Sequence, residues 1–531
     1  MPARIAKKIS ARKPPHNREQ DEWRKSAPTS QLVEQRAREY FDAVVGFVKR
    51  DPGERTFLDF ERALIPLVLT LGRFLVALFL CRRHEELAVP THATRDGRRH
   101  ERSQPQDREL ATFFGKVRYW RTYMRGAGGG YYPLDERLRL PADGFSRGLT
   151  SLMVRVATKV SYAQTCLLLK CFLGWSPAQA TLEKAVLGLG KSTKAWFEQA
   201  PPPEGDGDVL VIMIDSKATP TATASELAKR RGKRRKQPGN PSKRHRGRSK
   251  RKRWAEKKRR KKGDHSKNGR SATLVVMYTL KPATLPDGVR RLEGPINRRV
   301  YASYAPKRHA FAIARRDANR RGFGKGSGKR IQIVTDGDLS LGLYAKEFFP
   351  EAILTLDVIH AVEYLWSAGR SFYREGSKAL AGWIAKQKDR LYTGKLEAVL
   401  RELGDALRAI PKTGPGNKGK RARLETSINY LSKRVALMNY HELLEQDLEI
   451  SSGSVEGAVR YVIAQRFDAA GMRWITERSE ALLQLRCIEI NGHWDDFIRF
   501  GEPRAAEPGG LPSLLASRAA PLPTLGLEVA A

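Results

Sequence analysis

Six consecutive apolar residues, Val209–Ile214 (VLVIMI), stop abruptly at Asp215, and a second strand-length run, Ile331-Gln332-Ile333-Val334-Thr335, stops at Asp336. Runs of this kind are accommodated in the middle of a sheet that is covered on both faces. An acid at the carboxyl end of such a strand lies where open α/β sheets place their ligands. A third acid, Glu456, opens the helical stretch Ser454–Arg460. Each acid has an ordinary explanation: a strand-end turn for Asp215, the turn dipeptide Asp336-Gly337, and a favourable helix N-terminus for Glu456. Their joint placement points instead to one shared site.

Further strands are expected over 273–280, 299–304 and 352–356, with helices over about 308–321 and 341–349. The resulting order β-β-β-α-β-α-β, with acids after the first and fourth strands, is that of a ribonuclease-H-like α/β domain built on a mixed five-stranded sheet. Residues 358–448 read as helical and without strand signals, broken once by the Gly/Pro/Lys run 411–420, so they form a helical insertion. The expected organisation is a basic disordered tail (1–30), a mainly helical N-terminal DNA-binding region (31–200), the first part of the catalytic core (205–357), the insertion (358–448), core helices carrying Glu456 (449–500), and a flexible tail (501–531).

Within the N-terminal region, residues 86–109 read as a polar linker. Gly174-Trp175-Ser176 and Gly188-Leu189-Gly190 break helices in a layout compatible with helix-turn-helix, with Ser192 or Thr193 capping a recognition helix that carries Lys194 and Trp196. An ordinary helical hairpin fits as well. The apolar stretch Leu64–Leu80 has 17 residues and contains Pro66 and Arg73. It falls short of the roughly 20 residues that span a bilayer and is read as a buried helix with no membrane role.

Charge restricts the partners. The 531 residues carry 98 Lys and Arg against 57 Asp and Glu, a formal net charge of +41. An excess of this size implies a polyanion, with nucleic acid first. Between Lys229 and Lys262 there are 21 basic residues and a single acid, Glu256. Such a segment cannot collapse on itself and suits an arm along a phosphate backbone. Its DNA-binding candidates are Lys229, Arg230, Arg231, Lys233, Arg234, Arg235, Lys250, Arg251, Lys252, Arg253, Lys257 and Lys258. A solvated loop is the bland alternative. Four cysteines without a Cys-x-x-Cys pair are too few for a disulfide framework and indicate a reducing compartment.

Hard divalent cations take oxygen ligands, and two ions about 4 Å apart can serve the attacking and leaving oxygens of a phosphodiester. Asp215, Asp336 and Glu456 are therefore the candidate catalytic and metal-ligating residues, with Asp215 bridging both ions. Asp338 is a rival ligand. Asp357 and His360 form a secondary pair, for which a helix cap is the alternative.

The ordered motifs Ile214-Asp215-Ser216-Lys217, Thr335-Asp336-Gly337-Asp338, Leu356-Asp357-Val358-Ile359-His360 through Leu365, and Ser452-Gly453-Ser454-Val455-Glu456 continue through Arg466 and Gly471-Met472-Arg473-Trp474 to Arg486. Together they resemble bacterial insertion-sequence transposases of the DDE class, in particular the ISKra group related to Mutator-like transposases, over roughly 110–500. The resemblance implies cleavage of double-stranded DNA at element ends, followed by attack of the freed 3′-hydroxyl on target DNA. It implies two Mg²⁺ ions, with Mn²⁺ able to substitute, secondary roles for Arg466 and Trp474, and a homodimer or larger assembly on DNA. No small-molecule substrate is expected, and the implied location is the bacterial cytoplasm at the nucleoid. The sequence departs from the family's pattern in three places: Ser216 stands where glycine is common, Tyr123 to Tyr132 holds no cysteine before Pro133-Leu134-Asp135, and Asp468 stands where the family usually has a lysine. The alternatives are a nuclease of the same fold that does not join strands, and a non-catalytic nucleic-acid-binding protein.

Overall fold

A computed structural model of the chain describes residues 27–49, 56–222, 270–284, 290–468 and 474–501. The basic arm 229–262, most of the N-terminal tail, residues 471–473 and the C-terminal tail lie outside the described residues. The chain divides into two compact units, 1–188 and 189–531. The boundary falls in the last turn of a helix, slightly before the expected 200–205.

The first unit opens with α1 (Ser30–Lys49) and α2 (Phe57–Glu85), followed by strands β1 (His92–Arg95), β2 (Arg98–Thr112), β3 (Gly115–Gly126) and β4 (Gly129–Tyr131) in one four-stranded antiparallel sheet. Helices α3 (Pro133–Arg137), α4 (Arg147–Lys159), α5 (Tyr162–Leu173) and α6 (Gln179–Gly190) complete the region. The sheet corrects the expected linker at 86–109. Asp96 and Gly97 adopt positive φ (50° and 72°) between the paired residues Arg95 and Arg98, making a two-residue hairpin. The polar composition of 98–109 is that of a sheet with one solvated face. Leu110, Val117 and Tyr119 bury the other against Leu80 and Leu134.

The expected burial of Leu64–Leu80 is also overturned. Only Gly72 and Leu80 of α2 are buried, while Ile65, Val68, Leu75 and Phe79 stay about half exposed. One turn of apolar spacing can face a core, but a helix apolar on several sides cannot bury them all beside a small sheet.

The second unit begins with α7 (Thr193–Gln199), the helix expected to read DNA. Its Trp196 is 3% exposed and packs edge-on against His493, Phe497 and Phe500. Ser192 makes no side-chain cap, and Thr193 turns its hydroxyl to the Gly190 carbonyl. The helix therefore uses its aromatic face for the core, and only Lys194 of the named pair is exposed.

The main sheet contains β5 (Val209–Thr219), β7 (Arg270–Thr284), β8 (Arg290–Ser303), β9 (Arg330–Thr335) and β10 (Ile353–Leu356), in the spatial order β10-β9-β5-β7-β8; β6 (Thr221–Ala222) lies apart. β5, β7 and β8 are antiparallel neighbours, whereas β9 and β10 run parallel to β5. The strand order is compatible with a ribonuclease-H-like fold. Every residue from Val209 to Ile214 is at most 1% exposed, as the continuous apolar run requires. Helices α8 (Lys307–Arg320) and α9 (Leu339–Phe348) connect the strands, and α8 packs on β7.

After β10 come α10 (Val358–Gly369), α11 (Lys378–Tyr392), α12 (Leu396–Ala409), α13 (Asn417–Ser432), a 3₁₀ turn (Val435–Leu437) and α14 (Tyr440–Glu445). The chain then returns to the sheet with α15 (Gly453–Ala458), a π-helical stretch (Val459–Ala464), α16 (Gln465–Phe467), β11 (Trp474–Ile475), α17 (Thr476–Ile490) and α18 (Trp494–Phe500).

The return is fastened by a buried amide. Gln332 on β9 is fully buried; its Nε2 donates to Thr355 Oγ1 (2.9 Å) and to the Glu449 carbonyl (2.6 Å), and its Oε1 accepts from the Glu449 amide (3.0 Å). Gln332→Leu leaves those backbone groups unpaired and is expected to cost about 2–4 kcal/mol in urea unfolding of the whole chain. A loss below about 1 kcal/mol would show that water replaces the amide.

Candidate active site

The parallel pairing of β5 with β9 aligns Ile214 with Thr335 at a strand spacing of about 4.8 Å; Asp336 leaves the carboxyl end of β9, but Asp215 is not at the expected strand end, because β5 stays paired with β7 through Asp215–Leu274 and on to Thr219. Burial pushes the Asp215 carboxyl above its ordinary range, and the negative charges of Asp336 and Asp357 push the same way. The Ser216 amide (2.6 Å) and the His360 charge oppose them without prevailing. Among the described residues, neither Asp215, Asp336 nor Glu456 forms an ion pair with lysine or arginine.

Asp336 begins a tight turn. Its Oδ1 accepts from the Asp338 amide (2.8 Å), and Gly337 has φ +79° with Leu356 and Arg434 against the place a Cβ would take. Two residues of the helical insertion grip this turn by its backbone. Tyr430 Oη donates to the Asp336 carbonyl (2.6 Å), and Arg434 Nε donates to the Gly337 carbonyl (2.8 Å). Tyr364 stacks on Tyr430 with ring centroids 3.6 Å apart, and the Arg434 guanidinium lies 3.9 Å from the other ring's centre. Asp338, the rival ligand, is otherwise engaged. It caps α9 through the Ser340 amide (2.8 Å) and pairs with Lys307 Nζ (2.5 Å). Burial would raise its carboxyl, but these bonds hold it below the ordinary range.

Asp357 follows β10 and is fully buried. Its Oδ1 accepts from the amides of Ile359 (2.9 Å) and Ser452 (3.2 Å); its Oδ2 accepts from the Ser452 hydroxyl and from His360 Nδ1 (2.8 Å). Four donors overcome the burial and keep this carboxyl below its ordinary range. They also use both oxygens, so Asp357 acts here as cap and anchor. The hydrogen bond to Asp357 pushes His360 up to about 9, against its burial and with help from Glu363 and Asp336. With Nδ1 committed to Asp357, the other ring nitrogen is the one available to a ligand.

Glu456 is exposed on α15, which packs on β5 and β7. One ligand atom each from Asp357, His360 and Glu456 lies within 4.8 Å of the others. Asp215 thus feels the charges of Asp336 and Asp357, while Glu456 adjoins Asp357 and His360; oxygen donors of this kind suit a hard divalent cation.

Arg466 and Trp474 pair with each other: the guanidinium, in a residue only 1% exposed, lies 4.7 Å from the indole centre. Trp474 in turn opens β11, whose pairing with β6 ties the segment after Glu456 to the end of the Asp215 strand. Asp468 forms an ion pair with Lys217, two residues beyond Asp215 (3.3 Å). Asp468 is therefore matched locally by a cation. The sequence gives no role to Ser452, Tyr430 or Arg434; the one signal for the latter two is an aromatic and a cation four residues apart, Tyr430 in the last turn of α13 and Arg434 just beyond it.

No family model and no curated protein matches the chain. Among solved structures it is similar to the Drosophila P element transposase strand transfer complex, at 12% identity over 68% of this chain and 99% of that one, with a TM-score of 0.26. A likeness this low is too weak to support a fold or function assignment; the fold description rests on strand order and register.

A raised His360 contributes to folding fully below its ordinary value of 6.5, and the contribution is lost as pH rises through about 9. The lowered Asp357 contributes above the ordinary carboxylate range and fails in acid. In metal-free protein, NMR of the ring is expected to show His360 still protonated at about pH 7.5, and unfolding stability should fall from pH 6.5 to 9 more steeply than in His360→Gln. A ring that titrates below about pH 7 would contradict the pairing.

Proposed function

We propose that the chain is a DDE transposase of the ISKra-like group that cuts the ends of its own insertion sequence and joins them to target DNA in a bacterium, at the nucleoid. The observation that best supports this reading is the pairing of β5 with β9, which brings Asp215 close to Asp336, together with Glu456 lying within 4.8 Å of Asp357 and His360, whose charges act on Asp215. The +41 charge supplies the affinity for double-stranded DNA, with the arm 229–262 as its densest part.

The three carboxylates would hold two Mg²⁺ ions, which when bound neutralise phosphate charge and favour ionisation of the attacking hydroxyl. The protein's own contribution is positioning. Aligned strands set Asp215 beside Asp336. Tyr430 and Arg434 keep the Asp336 turn from drifting. Asp357 holds Ser452 at the entrance to α15 and so places Glu456. His360 would present positive charge toward the scissile phosphate while its Nδ1–H stays donated to Asp357 Oδ2. The same arrangement serves strand hydrolysis first and 3′-hydroxyl transfer second, because both are in-line displacements at phosphorus.

Purified protein incubated with Mg²⁺ and the DNA flanking its gene should give mapped breaks and joined products. Asp215→Ala should lower both at least about a thousandfold while leaving low-salt DNA affinity within about twofold. Breaks without joining point to a nuclease; full cleavage by the variant removes Asp215 from the site. Deleting 229–262 should flatten the dependence of DNA affinity on salt, and an unchanged slope would assign DNA binding elsewhere.

A further inference from the structure

The motif that opens at Ser452 closes on Arg486, a residue outside the acid cluster. Arg486 lies in α17, is only 5% exposed, and turns its guanidinium onto the main chain of the helix that carries Glu456. Its Nε donates to the Val462 carbonyl (2.9 Å) and the Tyr461 carbonyl (3.2 Å); its Nη2 donates to the Tyr461 carbonyl and to Gln465 Oε1 (3.4 Å). Burial pushes the guanidinium down from its usual value, so seating it here has a cost that these carbonyls offset. The two carbonyls belong to the π-helical stretch Val459–Ala464, which sits between α15 and α16 in one continuous helix. The Gln465 amide reaches back five residues, to the Arg460 carbonyl, instead of four. A turn this wide holds one residue more than the α-helix, leaves carbonyls without an amide in the ladder, and recurs at functional sites. The geometry is rare, well under about 1% of residues, so six in succession need a partner outside the helix, and Arg486 is that partner.

We propose that Arg486 is a positioning residue for Glu456: by holding the Tyr461 and Val462 carbonyls it keeps the extra residue in the helix, and the extra residue sets the direction in which Glu456 points. The proposal rests on the catalytic reading of Glu456. Closing the π-helical stretch to an α-helix would turn one flank against the other by about 100° and shift it by about 1.5 Å. The flank beyond the stretch resists, since Arg466 and Phe467 are at most 1% exposed. The flank before it presents Glu456 and Gly457 to solvent and starts at the exposed Gly453, where the chain can absorb a residue of slack. The Glu456 carboxylate would then swing away from His360 and Asp357, beside which it lies. Arg298 of β8 braces the same step, donating from Nη2 to the Ser454 carbonyl (2.9 Å) with its guanidinium 5.5 Å from the centre of the Tyr461 ring. Asp357 fixes Ser452, where the helix starts. Arg486 fixes how far round the helix has turned at Glu456.

The test pairs a substitution with a deletion, both in the full chain. Arg486→Met removes the donors and keeps a long side chain in their place. With Mg²⁺ and the flanking DNA it should lower strand cleavage about a hundredfold, with low-salt DNA affinity within about twofold of wild type. Deleting the exposed Arg460 from the same variant takes out the extra residue itself. A plain α-helix then presents Glu456 in its native direction, and cleavage should return to within about tenfold of wild type. Crystal structures of the wild type and of Arg486→Met read the same point without chemistry: in the variant, 459–464 should be α-helical and Glu456 turned about its helix axis. Full cleavage by Arg486→Met overturns the proposal, as does a deletion that restores nothing, or a variant helix that stays π-helical. If Arg486→Met does not fold, the double variant decides, and an unfolded or inactive double variant beside an active wild type overturns the proposal. If the wild type itself gives no breaks, the catalytic reading fails, and the two crystal structures still decide whether Arg486 sets the direction of Glu456.

Discussion

One buried carboxylate holds the candidate site together. Asp357 has no exposed surface, and an unpaired carboxylate at that depth would cost many kcal/mol. Its four donors come from two places far apart in the chain, the first turn of α10 and Ser452. Between them lies the whole helical insertion. The anchor therefore closes a long loop at the point where the chain must re-enter the sheet, and the Val358 amide bonded to the Ile450 carbonyl (2.9 Å) lengthens the closure. Gln332 fastens the same returning segment at Glu449. Glu456 inherits its place from these bonds, although it makes none of them.

The electrostatics of the cluster run against those of the chain as a whole. A protein with a net charge of +41 gathers acids at one edge of its sheet, and the imidazolium that Asp357 sustains acts on Asp215 against them. Burial and neighbouring negative charge raise Asp215. Folding has thus assembled mutual repulsion at one spot, and basic surface elsewhere would bring a polyanion to it. On the proposed reading, a bound cation would relieve the first and tolerate the second.

Much of this was legible in the sequence because β5 and β9 are covered on both faces, so their apolar runs are unbroken and the acids that end them stand out. The helices of the insertion were legible for the related reason that they contain no strand-length apolar run. The β1–β4 sheet was not, since its solvated face carries Arg, Glu and Gln at linker frequency and only Asp96-Gly97 marks the hairpin. The exposure of α2 was hidden as well: composition reports how apolar a helix is, not how much surface is available to cover it. Trp196 failed similarly, because an aromatic on a short helix reads alike whether it meets bases or a core. The role of Asp357 was half visible as a helix cap, but its bonds to Ser452 join residues 95 positions apart and leave no local trace.

Tyr430 and Arg434 seize the Asp336 turn only by main-chain carbonyls. A grip of that kind is blind to the side chains it steadies. Replacement of the acid at 336 would leave the loop in place, so a copy that loses its chemistry can keep its architecture. On the proposed reading, inactive descendants of such a chain would remain folded and could still compete with active copies for DNA.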